Sequence, residues 1–117
     1  MSDHYHDPAD SKRLKDMRAL APADYEAWVN LNRIIGRTDG TIPRKYRELI
    51  AVGVAVAVQC PYCIEAHAKG AKVAGASREE IVEATLVASA IRAGAATMHG
   101  TMALKFFDGS ADATAKA

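Results

Sequence analysis

From Tyr25 onward the apolar positions of this chain fall into helical blocks. Tyr25, Trp28, Leu31 and Ile35 recur at steps of three and four until Gly36, predicting an amphipathic helix that begins at Asp24. Upstream, a short helix is expected from Asp10 to Ala19, ending before Pro22, while residues 1–9 read as a frayed polar end with His4 and His6 in solvent. Arg37 to Gly40 is turn material, and Pro43 opens the next element. Pro61 to Ala74 forms a further helix, stopped by Gly75. Ser77-Arg78-Glu79-Glu80 is a capping box, with Ser77 as N-cap and Glu80 three residues on. The helix it opens is expected to run to about Arg92 and to break or kink at Gly94. A last helix then carries Met98, Met102 and Phe106 on one stripe and ends at Gly109, before a small-residue tail over 110–117.

One segment sends conflicting signals. Val52, Val54, Val56 and Val58 alternate with Ala51, Gly53, Ala55 and Ala57, the period of two expected of a buried strand. The charged lead-in Arg44, Lys45, Arg47 and Glu48 extends the element to about four helical turns. No partner strand is visible elsewhere, and a lone strand is not a fold. The segment is therefore read as a helix, apolar all round and buried all round, which in so small a chain implies that another subunit covers part of it. The fold expected is all-α with about six helices, forming one domain over residues 1–117 with its core at about 22–108.

Composition sharpens this picture. Half of the 117 residues are hydrophobic but only 6% are aromatic, so the helices must pack closely through alanine, valine and glycine. Net charge is +1 with acids and bases interspersed, so no basic tract suited to nucleic acid or an anionic membrane is present. Met1 to Lys15 is too polar for a secretory signal, and the apolar run Leu49 to Val58 is too short to span a bilayer. A cytoplasmic protein without nucleic-acid or membrane partners is expected.

The chemistry is concentrated in one stretch. Cys60 and Cys63, the only cysteines, stand at Cys-Pro-Tyr-Cys spacing, which can close into a reversible disulfide. With Pro61 at the first helical position, Cys60 is the N-cap and both sulfurs lie at the positive end of the helix dipole, where a thiolate is favoured. His67, four residues after Cys63, lies one turn along the same face, within reach of a thiol directly or through one water. Glu48 is twelve residues before Cys60, roughly 18 Å along a straight helix, so it cannot touch that cysteine. It can meet His67 if the two helices fold back on each other near Cys60. The competing reading, half of a zinc site, lacks ligands beyond His67 and His99, so neither metal nor cofactor is expected. Tyr62 either bonds near the thiols or packs. His99 belongs with Met102 and Phe106 in a core or interface, and Glu65 with Lys69 forms a solvated pair.

At Glu48, Cys60, Cys63 and His67 the chain resembles the alkyl hydroperoxidase D-like branch of the carboxymuconolactone decarboxylase superfamily. The resemblance spans roughly Tyr25 to Phe107, through Pro43-Arg44-Lys45-Tyr46-Arg47-Glu48-Leu49-Ile50, Cys-Pro-Tyr-Cys-Ile-Glu-Ala-His and Gly75-Ala76-Ser77-Arg78-Glu79-Glu80-Ile81. It implies an all-helical homo-oligomer, trimer or hexamer, with thiol peroxidase or disulfide reductase activity in antioxidant defence. In that scheme Cys63 attacks the peroxide or disulfide substrate, Cys60 resolves, and Glu48 and His67 relay protons. A protein or small-molecule reductant restores the dithiol. Peroxidase members usually carry a histidine just before the second cysteine, where this chain has Tyr62. The alternatives are a lactone decarboxylase-type lyase, which needs no redox dithiol, and a redox-sensing oligomer without catalysis.

Overall fold

Helix limits in this chain are set by prolines, glycines and side-chain caps. The computed structural model describes residues 5–111. A 3-10 helix, Pro8–Arg13, leads into α1 (Leu14–Leu20), followed by α2 (Pro22–Asn32), α3 (Arg44–Val58), α4 (Pro61–Val73) and α5 (Arg78–Gly109). Among the described residues there is no strand, and Leu49 to Val58 is helical within α3. The helical lead-in therefore overrides the alternating valines.

α3 and α4 form an antiparallel hairpin, and α5 packs across α3. The corner is made by Gln59, which adopts the left-handed conformation (φ 59°) as the C-cap of α3, while the Cys60 amide returns to the Ala55 carbonyl at 3.1 Å. Cys60 then caps α4, and Pro61 occupies its first position. Gly75 (φ 95°) turns the chain out of α4. The Ser77 capping box forms as its sequence predicts: the Glu80 amide donates to Ser77 Oγ at 3.1 Å and the Ser77 amide to Glu80 Oε1 at 2.9 Å. Lys45 Nζ, 3.0 Å from Glu80 Oε2, ties the start of α3 to the start of α5. Midway along α3, Gly53 faces α5, where a Cβ would stand in ordinary contact, 3.5 Å from the Ala84 carbonyl oxygen.

Two expectations need correction. The break at Gly94 does not occur, because α5 runs unbroken for 32 residues through Gly94 and Gly100. A single interior glycine costs a helix only about 1 kcal/mol relative to alanine and still donates its hydrogen bond, whereas proline would remove one. The described residues therefore form five α-helices and one 3-10 helix. As one piece, α5 is long and apolar enough to cross a membrane by length and composition (mean hydropathy 1.3 over its best window), although Arg92 lies near its middle.

The N-terminal segment also differs from the frayed end expected. Asp7 and Asp10 form a second capping box around Pro8, starting a helix two residues earlier than the apolar pattern suggested. His6 packs its ring against Tyr62 at 4.4 Å instead of standing free in solvent. His4 lies outside the described residues.

The interior of this chain is small. Among the described residues only Val52, Ala55 and Ala71 are buried apolar residues, while Ile50, Val54 and Val58 on α3 and Met98, Leu104, Phe106 and Phe107 on α5 are exposed. The radius of gyration is 20.3 Å, against about 13 Å for a compact chain of this length.

The turn at Gly75 yields a direct test. Nothing lies within 4 Å of a Cβ built there, so Gly75→Ala incurs only the left-handed backbone penalty of about 1 kcal/mol. Urea denaturation should register that loss with an unchanged m-value.

Candidate active site

The site starts from a carboxylate that the fold has removed from water. Glu48, near the start of α3, is 4% exposed. Its Oε2 accepts a hydrogen bond from His67 Nδ1 on α4 at 2.8 Å, and Arg44 Nε approaches Oε1 at 3.8 Å from one turn earlier. A carboxylate only accepts, so Nδ1 carries the hydrogen and Nε2 is the imidazole nitrogen left for other partners. The α3–α4 hairpin thus brings Glu48 and His67 together as the spacing around Cys60 predicts.

One glycine makes room for that carboxylate. A Cβ on Gly70 would stand 2.8 Å from Oε2 and 2.9 Å from Oε1, closer than a side-chain carbon tolerates. Gly36, in the loop after α2, also borders Oε1, but a Cβ there would stand at an ordinary contact distance of 3.7 Å. Arg47 pins that loop, donating from Nη1 to the Ile34 carbonyl at 2.7 Å and from Nε to the Ile42 carbonyl at 3.0 Å.

Cys60 and Cys63 are joined in a disulfide within the chain, their Cα atoms 5.3 Å apart, and the Cys63 amide donates to Cys60 Sγ at 3.2 Å. Both cysteines are partly buried at the start of α4. With the sulfurs paired there is no thiol proton for His67 to take, and its hydrogen bond goes to Glu48. Cys63 and His67 nevertheless border the same two pockets. One, of about 380 Å³, lies against α3 and is lined by Ile35, Ile50, Val54 and Val58 with Arg47 and Asn32. The other, of about 440 Å³, lies under the N-terminal segment.

Tyr62 resolves the choice between bonding and packing in an unexpected way, since it does both with residues far away in sequence. Its hydroxyl donates to Asp10 Oδ2 at 2.6 Å, and the His6 ring stacks edge-on against it. The shared proton holds the Asp10 carboxyl below its ordinary value and the Tyr62 phenol above its own. Sequence reasoning missed Asp10, Arg44 and Gly70. The Asp7-Pro8-Ala9-Asp10 capping pattern was the available signal for the first; for Gly70 only the neighbouring carboxylate explains it. His99 is exposed on α5, not in a core of this chain, and lines neither pocket.

Comparison with known proteins places the scaffold. The carboxymuconolactone decarboxylase family profile matches residues 22–106, a span that includes all four residues of the cluster. The chain belongs to that family. Its core is shared with a Paracoccus denitrificans protein named for its place in the cox locus, 45% identical over 91 residues, 78% of this chain and 80% of that protein. A Cupriavidus necator protein is 34% identical over 70 residues, 60% of this chain and 62% of its own. Among solved structures, a protein from Methanobacterium thermoautotrophicum superposes with a TM-score of 0.66 at 32% identity, covering 74% of this chain and 96% of that one. The apo form of a carboxymuconolactone decarboxylase family protein from Legionella pneumophila gives 0.64 at 32% identity, covering 84% and 87%. The 3-10 helix and α1 precede the matched family core.

Because His67 is the hydrogen-bond donor to a buried carboxylate, its removal should cost stability as well as any chemistry. His67→Ala is expected to destabilise the protein by about 1–3 kcal/mol in urea denaturation. His67→Gln, whose amide can still donate to Glu48, should recover most of that loss without restoring proton transfer.

Proposed function

We propose that this protein is a dithiol oxidoreductase, acting as a thiol peroxidase or disulfide reductase through Cys60 and Cys63 with a Glu48–His67 proton relay. The observation that carries the reading is the coincidence of a closed Cys60–Cys63 disulfide with a histidine, held by a buried carboxylate, on the same pocket walls as Cys63. A disulfide at the start of a helix, four residues before an oriented imidazole, supports reversible thiol chemistry more than an inert staple.

In the reduced protein, His67 takes the Cys63 proton and Glu48 stabilises the resulting imidazolium. The Cys63 thiolate attacks the outer oxygen of a hydroperoxide, forming a sulfenic acid and releasing the alcohol, which receives that proton. The Cys60 sulfur then attacks Cys63, closing the disulfide and expelling water. An external dithiol, or two thiols, returns two electrons and two protons and leaves as a disulfide. Tyr62, committed to Asp10, has no part in the relay. A lactone decarboxylase-type lyase would use this scaffold without a dithiol, and the Cys-x-x-Cys disulfide favours the redox reading over it.

The same reading includes self-association. The second half of α5 leaves Met98, Leu104, Phe106 and Phe107 exposed around the helix in this chain, and exposed apolar surface of that extent marks an interface. A homo-oligomer, trimer or hexamer, covers it in this proposal.

Two measurements test these points. Dimedone trapping after one equivalent of peroxide should label Cys63 in a Cys60→Ser variant, and Cys63→Ser should abolish turnover; label confined to Cys60 would reverse the roles. Light scattering at low micromolar concentration in detergent-free buffer should report an oligomer. A monomer, or protein recovered only with lipid vesicles, would remove the self-association claim.

A further inference from the structure

The pocket of about 440 Å³ beneath the N-terminal segment has walls of two origins. α2 and α4 supply Trp28, Asn32, Tyr62, Cys63, Ala66 and His67 from within the family core, while Asp10, Ser11 and Leu14 come from the segment before it. The Tyr62–Asp10 hydrogen bond fastens that outer wall to the dithiol motif itself, between the two cysteines. The volume suits a small molecule, and the lining, apolar at Leu14, Trp28 and Ala66 with a few polar groups, is that of a ligand site. Asp10 is held ionised by the Tyr62 hydroxyl. Among the described residues no lysine or arginine lines the pocket, and Arg13 and His6 bear on Asp10 from outside that lining.

We propose that this pocket binds a low-molecular-weight disulfide that exchanges with the reduced dithiol, and that Asp10 makes it prefer cationic and neutral disulfides to anionic ones. The proposal rests on the dithiol reading above. The Cys63 thiolate attacks one sulfur of the bound disulfide R–S–S–R, forming a Cys63–S–S–R bond and releasing RS⁻. The Cys60 sulfur, giving up its proton, attacks Cys63, closes the Cys60–Cys63 bond and releases the second RS⁻. The protein loses two electrons, the disulfide gains them, and the two departing thiolates take up the two cysteine protons. A single carboxylate on a pocket wall discriminates by charge because substrate must pass close to it.

The test uses three disulfides of similar size: cystamine (cationic), bis(2-hydroxyethyl) disulfide (neutral) and dithiodiglycolate (anionic). Each is mixed with the reduced protein at low ionic strength, and each rate is divided by that of dithiothreitol with the same disulfide to remove intrinsic reactivity. The normalised rates should fall from cationic to anionic by about tenfold. The spread should shrink in roughly 1 M salt, where the screening length is about 3 Å. Asp10→Asn should collapse it, and Ser11→Lys, which keeps the Tyr62–Asp10 bond and adds a cation to the same wall, should shift the preference toward the anion. Equal normalised rates in the wild type, or an unchanged spread in Asp10→Asn, would overturn the proposal and leave the dithiol reading standing. Failure of all three disulfides to oxidise Cys60 and Cys63, when one equivalent of hydroperoxide does so, would overturn the proposal alone; failure of the hydroperoxide as well would overturn both.

Discussion

A carboxylate out of water needs partners, and the arrangement of α3 and α4 follows from supplying them to Glu48. Burying a charge without compensation is far more costly than leaving an apolar side chain exposed. Here the compensation is a hydrogen bond from His67 and the nearby Arg44 guanidinium, with Gly70 leaving space for the oxygens. These contacts set how α4 lies against α3 and which nitrogen of His67 faces the carboxylate. They therefore also determine what His67 presents to the pockets beside Cys63.

The parts of this design that were legible in sequence are those set by local rules. The hairpin that joins Glu48 to His67 follows from counting helical rise on either side of a proline-marked corner. The Ser77–Glu80 box is complete within four residues. The helical nature of Leu49 to Val58 could be decided against its alternating valines because a strand there has nothing to pair with. The features that escaped are non-local or quantitative. Nothing near Tyr62 announces that its hydroxyl will find Asp10, 52 residues earlier. Gly70 lacks a side chain because of an oxygen that arrives from another helix. Gly94 does not break α5, because the cost of one interior glycine is small against the continuous hydrogen bonding of a 32-residue helix.

The burial pattern separates the chain into two regimes. Around Glu48, Val52, Ala55 and Ala71 the helices meet closely, through residues small enough to let backbones approach. Beyond Arg92, whose guanidinium reaches the Ala57 carbonyl, α5 continues for more than four turns without a partner helix among the described residues. The chemistry is thus assembled at the end of the molecule that supports itself, whereas the projecting helix contributes surface.

The left-handed corner at Gln59 has a consequence for how this chain can change length. Glu48 and His67 stand on opposite arms of one hairpin, each at a fixed count from the bend. One inserted residue between Glu48 and Gln59 would turn the carboxylate about 100° around the helix axis, away from α4. Inserting four would restore the facing but slide it about 6 Å past the imidazole. Neither arm can absorb a gap, so the loop before Arg44 and the turn after Val73 are the places bordering this hairpin where length can change without moving Glu48 off His67. The interval from Glu48 through Cys60 and Cys63 to His67 works as a ruler, and its graduations are helical turns.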